Sequence, residues 1–350
     1  MSLALPAAVC PTADEWESEL RELMGRRISD LGLSLQGSPV EPLIARLYDE
    51  LAHHGIAFRP PVYLSDEWGC PEGTPLIGVP FYLADRRLSR IEQRMAMEVE
   101  GEAEIMRILR HEAGHAINYA YRLYDRPDWR QIFGPYSRPY RERFRADPFS
   151  RAYVRHLPGW YAQKHPDEDF AETFAVWVTP DLDWRREYAR WEALGKLEFV
   201  DRLMQEVRDA GVPPAPAPAD DDVPVEAMHY TIAEHYDEPD AVPVQDERHF
   251  DGDLRTLFAD ASEAPAGESA AAFVRRHRRE IVARIAYWTG ESAAVVRTFV
   301  DLLGDRTAAL ELHVRGLEAS TLIELTAFGT AVMMNHRYTD AMDPAREPND

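Results

Sequence analysis

The chain has 350 residues, 45% of them hydrophobic, which is enough to bury a substantial core and to form two domains. Its formal net charge of −22, from 61 acidic against 39 basic side chains, speaks against nucleic acid as a partner, because phosphate binding needs a basic surface. Cys10 and Cys70, the only cysteines, make neither a disulfide framework nor a cysteine-based zinc site. No stretch approaches the length of a membrane span, and the brief apolar run near Met1 lacks a basic leader, so a cytoplasmic location with no membrane partner is expected.

Residues 15–31 and 40–54 read as amphipathic helices, with Thr12 or Asp14 as the cap of the first. Two extended segments follow, 58–64 and 76–84, rich in β-branched and aromatic residues. Pro60, Pro61 and Pro80 confine them to a sheet edge or to the first residues of a strand.

A helix is predicted over residues 101–124, because Ile105, Ile108, Leu109, Ala116, Ala120 and Leu123 keep a helical period. It contains His111-Glu112-Ala113-Gly114-His115. Residues four apart on a helix lie one above the other, so both imidazoles project from one face at a spacing that one Zn²⁺ bridges, with Glu112 beside the metal. A carboxylate there can take a proton from water and hand it to a leaving amine. Gly114 costs about 1 kcal/mol of helix propensity against Ala and removes a side chain beside the expected metal. The alternative is two histidines on a solvated face.

Residues 128–160 are aromatic and arginine-rich, and read either as a wall of a substrate cleft or as an irregular segment packed on the core. A second short helix comes next in the segment from His165 to Trp177, with Pro166 suited to its first position, the acids 167–169 to the positive end of its dipole, and Pro180 ending the pattern. Phe170, Phe174, Trp177 and Val178 make its apolar stripe; Glu168 and Glu172 share another face, flanked by Ala171 and Ala175, where small side chains permit close approach of a second helix. His165 and His156 are rival metal ligands, better read as capping or surface groups, and Asp167 and Asp169 point off the Glu168 face.

His111-Glu112-x-x-His115 followed by Glu168-Asp169-Phe170-Ala171-Glu172 resembles the gluzincin zinc metallopeptidases, in particular those with an E-x-F-A-E helix, such as lethal-factor-type proteases and Pro-Pro endopeptidases. The resemblance is specific over residues 100–180, looser over 40–210 and absent beyond. It implies one Zn²⁺ per chain held by His111, His115 and Glu168, with Glu112 activating water and Glu172 orienting a ligand histidine. It also implies that Tyr161, seven residues before Glu168, steadies the tetrahedral intermediate, although Gly159-Trp160-Tyr161-Ala162 reads equally as an aromatic packing corner. In such enzymes a strand edge ahead of the metal helix receives the substrate. Val79, Phe81 and Leu83 are the candidates for that edge, a plain structural strand being the alternative.

Beyond residue 210 the Pro-, Ala- and Asp-rich run 211–226 reads as a stiff linker. Helical stripes over 269–288, 291–303 and 318–336 then suggest a small all-α domain. Its Arg275-Arg276-His277-Arg278-Arg279 run is a solvated face or a docking surface for the acidic domain, and His229, His235 and His249 have no ligand-like spacing. The expectation is an α+β, zincin-like metallopeptidase domain over 1–210, a linker over 211–226 and a helical accessory domain over 227–350. Its partner would be a peptide or protein substrate. Two competing readings are a metal-dependent amide hydrolase acting on a small molecule and a non-catalytic zinc-containing interaction protein.

Overall fold

The computed structural model describes residues 13–95, 100–141, 144–213, 224–236, 247–262, 267–291 and 293–342. The chain is mostly helical with small two-stranded sheets, an arrangement compatible with the α+β class. Helix α1 (Ala13–Met24) buries Trp16, Leu20 and Leu23 along one stripe, and α2 (Glu41–His53) does the same with Ile44, Leu47 and Leu51. The predicted first helix stops short at Met24; Ile28–Leu31 is a separate 3-10 turn.

Strands β1 (Val62–Ser65) and β2 (Ile77–Pro80) pair in parallel, with Val62 opposite Ile77. On its other side β2 is bridged by Gly69 to Gly78, antiparallel. Val79, Phe81 and Leu83, the candidates for a substrate edge, are all buried in the main core, Phe81 and Leu83 lie in the 3-10 turn Phe81–Ala84, and none of them lines the cavity at the His111 face of the next long helix. An apolar run reads the same whether it is an open edge or an enclosed core strand, and this one is core.

Helices α3 (Arg86–Met95) and α4 (Glu102–Ala120) follow, the latter buried almost throughout from Ile105 to Tyr119. A bidentate pair fixes its orientation: Arg110 Nε and Nη2 donate to Glu50 of α2 at 2.7 and 2.8 Å. After α5 (Pro127–Phe133), the irregular stretches 134–141 and 144–157 and the 3-10 segment Pro158–Gln163 comes α6 (Pro166–Val178), in which every residue is buried. Helices α7 (Trp184–Glu187) and α8 (Ala193–Ala210) follow.

The aromatic segment divides between core and cavity. Trp129 and Phe133 enter the core, Tyr136 and Tyr140 line the cavity, and Phe149 is exposed.

Residues 214–223 of the predicted linker lie outside the described residues. Val225, Met228 and Ile232, the last in α9 (Ile232–His235), belong to the first core, and Ile28 and Ser29 donate backbone hydrogen bonds to Tyr230 and Met228. A second core begins at Phe250 and is built from α10 (Asp251–Leu257), α11 (Ala270–Thr289), α12 (Ala293–Ala309) and α13 (Glu318–Met342), with β3 (Ala259–Asp260) antiparallel to β4 (Leu312–His313). The arginine run serves mainly this body: Arg276 pairs with Glu268 and Glu318, and Arg278 with Asp301. Arg279 reaches across and donates to the Gln93 side-chain oxygen of α3. Among the described residues no helix is long and apolar enough to cross a membrane.

Candidate metal centre

Helices α4 and α6 pack against each other at Gly114. A Cβ added there would meet Ala171 Cα at 2.8 Å and its carbonyl oxygen at 3.0 Å. The glycine therefore serves the helix contact, not the space beside the metal. This approach brings the acidic first turn of α6 onto the histidine face of α4.

His111, His115 and Glu168 converge there, all buried. His111 Nε2 and His115 Nε2 each lie 3.1 Å from Glu168 Oε2, and 3.1 Å from one another. Two imidazole nitrogens at that distance cannot both present lone pairs to each other without a cation or a proton between them. A tetrahedral ion with bonds of about 2.0–2.1 Å places neighbouring ligand atoms roughly 3.3 Å apart, so the triangle fits one within a few tenths of an ångström. The donor set of two imidazoles and a carboxylate, with no fourth protein ligand in the group, leaves a position open.

A second layer of carboxylates orients the imidazoles. His111 Nδ1 donates to Glu172 Oε1 at 2.9 Å, and Glu172 Oε2 accepts the backbone amides of His156 and Leu157 at 3.2 and 2.8 Å. One side chain thus ties a ligand histidine to the stretch leading into Tyr161. Asp167 Oδ2 lies 3.0 Å from His115 Nδ1, at ion-pair distance but without hydrogen-bond alignment. Asp167 is itself fixed by Asn118 Nδ2 at 2.7 Å and by the Tyr119 hydroxyl at 2.5 Å. Glu172 thus faces His111, and Asp167, expected to point off the Glu168 face, lies beside His115.

His165 is not a ligand. Its Nε2 donates to the Arg138 carbonyl at 2.7 Å, and its Nδ1 accepts from the Asp167 amide at 3.2 Å, capping α6. His156 is also engaged, through Nε2 on the Arg107 carbonyl at 2.9 Å. Asp169 turns to the opposite side of α6 and pairs with Lys196 of α8 at 2.6 Å. Tyr140 was not singled out by the sequence; its hydroxyl donates to Glu168 Oε1 at 2.6 Å.

The cluster couples buried imidazoles to buried carboxylates. Burial pulls the His111 pKa down, but hydrogen bonds to Glu168 and Glu172 outweigh it and lift the group to about 9. Burial works to raise the Glu168 pKa, yet the facing imidazoles win and hold it well below the usual carboxylate range. Glu112 is raised, chiefly by burial, with the two histidines pulling the other way. Burial and the Glu168 charge push the Tyr140 phenol up, so it stays protonated.

The cluster opens into a cavity of about 720 Å³. Glu112 and Tyr161 line it with the three candidate ligands, and Glu67–Cys70 and Glu72 form a wall that the sequence did not foresee. The Tyr161 ring lies 5.6 Å from His111. Its segment has Gly159 and Trp160 in left-handed backbone conformations, at φ 75° and 56°.

No protein-family model matches the chain, and neither a curated protein nor a solved structure matches it. The functional reading therefore rests on these residues and their geometry. Among the described residues, the His111, His115 and Glu168 group is the one metal-competent cluster; His229 and His235 join no such group.

Proposed function

We propose that this protein is a zinc-dependent metallopeptidase of the gluzincin type, hydrolysing peptide bonds with a water activated in the cavity between α4 and α6. The observation that carries the reading is the triangle of His111, His115 and Glu168 atoms, 3.1 Å on each side, sharing a cavity with Glu112 and Tyr161. His111, His115 and Glu168 would hold the ion. Zinc, when bound, supplies a Lewis acid and a water acidic enough to deprotonate near pH 7.

The chain's own groups supply the rest. Glu112, raised by burial, is suited to take the proton of the attacking water and return it to the leaving amine. Tyr161 would donate to the oxyanion that develops on the scissile carbonyl, a contact made only in the transition state. Glu172 would keep Nε2 of His111 free for the ion by accepting a hydrogen bond from Nδ1–H and so holding the proton there. An intact Glu112 in a site with an open position argues against a purely structural ion, since structural zinc sites close all four positions.

A second reading is favoured by one observation: the proposed substrate edge, Val79 to Leu83, is buried, which removes a ready strand-addition site. A cavity of about 720 Å³ also lies in the range that encloses a small molecule. Under that reading the same residues hydrolyse a small amide. A proteome-derived peptide library, digested with and without chelator and run beside a panel of small amides, separates the two. Chelator-sensitive peptide cleavage is expected. Turnover confined to the small amides would transfer the assignment, and no turnover of either with zinc bound would refute both.

A further inference from the structure

The two oxygens of Glu168 do different work. Oε2 points at both imidazole nitrogens, 3.1 Å from each. Oε1 is turned away from them and accepts a 2.6 Å hydrogen bond from the Tyr140 hydroxyl. A hydrogen bond this short to an ionised acceptor belongs to the strong class.

Tyr140 is itself held in place. The carbonyl two residues before it, on Arg138, is gripped by His165 Nε2 at 2.7 Å, and Tyr136 stacks on Tyr124 with ring centres 4.4 Å apart. Its ring packs 5.5 Å from His165 and carries the Lys164 ammonium 4.4 Å from its centre. The phenol is aimed from outside the two metal helices, by a segment whose anchor, His165, is the cap of α6. The cap of the ligand helix and the aim of Tyr140 are thus set by the same imidazole.

We propose that Tyr140 is a positioning residue that latches Glu168 into one-oxygen ligation and holds the Tyr161 hydroxyl in register with the metal site. This rests on the reading of the cluster as a metal centre. With the Tyr140 phenol holding one lone pair of Oε1 and drawing that oxygen away from the imidazoles, the bond biases Glu168 toward ligation through Oε2 alone, which leaves a coordination position for water and substrate. Donor accounting gives the second half. A phenol has one proton, and Tyr140 gives its proton to a carboxylate that can only accept. In the 3.4 Å contact between the Tyr140 and Tyr161 oxygens, Tyr161 is therefore the donor. A network running Tyr161 to Tyr140 to Glu168 keeps the Tyr161 hydroxyl near the site and protonated until a better acceptor arrives.

The test uses the full chain with Zn²⁺ and Co²⁺ as probes and needs no substrate. Tyr140→Phe keeps the ring and deletes the donor. Its zinc affinity, read by competition against a chelator, should fall by about ten- to a hundredfold, the range for an outer partner of a ligand. The visible bands of the Co²⁺-loaded variant should weaken and shift as Glu168 becomes bidentate. Thermal unfolding of the metal-free form should match wild type, which separates the effect from general loosening. Tyr140→His, which keeps a ring donor, should recover part of the affinity, and this rescue decides the matter if the phenylalanine variant proves unstable. Tyr161→Phe should leave zinc affinity and the Co²⁺ spectrum close to wild type. A Tyr140→Phe protein equal to wild type in both affinity and spectrum overturns the latch and leaves the metal site standing. A wild-type chain that takes up neither ion overturns the metal reading and the latch together.

Discussion

Gly114→Ala sets two opposed effects against each other within the metal motif. In an isolated helix the change gains about 1 kcal/mol, because alanine is the better helix former. Here the new methyl would stand 2.8 Å from Ala171 Cα and 3.0 Å from its oxygen, both backbone atoms that no rotamer change can move. Reaching an ordinary contact of 3.4 Å requires α4 and α6 to part by at least 3.4 − 2.8 = 0.6 Å at that point. Overpacking of this kind costs about 1–3 kcal/mol, so the net change in fold stability should be a loss of about 0–2 kcal/mol. The metal site should suffer more. Glu168 lies three residues before Ala171 on the same helix, and 0.6 Å exceeds both the ~0.2 Å tolerance of metal–ligand distances and the ~0.5 Å within which a functional constellation must be held. Zinc affinity should therefore drop by at least about tenfold while the protein stays folded. Chemical unfolding of the metal-free protein and a chelator competition titration, run on the same preparation, measure both quantities. A Gly114→Ala protein that gains stability and binds zinc as wild type does would show that the helices are slack at this contact and refute the reasoning.

Purified protein should carry about one zinc per chain, lost in His111→Ala and in His115→Ala but kept in Glu112→Gln, whose turnover should fall by about 10²–10⁴-fold; metal analysis beside a rate measurement checks this, and wild-type rates for Glu112→Gln would remove its role as base. Tyr161→Phe should lower kcat by about a hundredfold with KM nearly unchanged, and a KM effect at normal kcat would move Tyr161 to ground-state binding. Glu172→Ala and Asp167→Asn should each weaken zinc by about ten- to a hundredfold without abolishing it, whereas Glu168→Ala should come close to abolishing it; the reverse ranking in a chelator titration would exchange the roles. Glu92 of α3, facing the Tyr236 hydroxyl, Glu100 and Arg297, is lifted by burial to about 7, so the fold favours its protonated form. Its stabilising effect should be full below about pH 4.5 and lost as pH rises through 7, on the order of 2 kcal/mol; Glu92→Gln should flatten that slope in urea unfolding at pH 5 and 8, and an unchanged slope would place the titration elsewhere.

How far the site was legible from the chain follows from what kind of regularity each residue obeys. The four-residue spacing of His111 and His115, and of Glu168 and Glu172, is helix geometry written directly in sequence, and those four side chains meet as that geometry requires. Val79, Phe81 and Leu83 are buried and lie off the cavity, because alternation and apolarity mark a strand without saying which of its edges is covered. Tyr140 sits in a stretch without period, where only folding decides what a phenol touches. Asp167 was missed for a different reason. Assigning one face of α6 to the metal and another to the core left its remaining acids to solvent, the usual fate of charges on an amphipathic helix. But α6 has no solvent face, since every residue in it is buried. In a helix enclosed all round, each polar side chain must find a partner within the fold. Asp167 therefore goes to His115, Asn118 and Tyr119, Glu168 to the two metal-facing nitrogens and Tyr140, Asp169 to Lys196, and Glu172 to His111 and the amides of 156 and 157. The density of acids in so short and so apolar a helix was the signal that they were all in use.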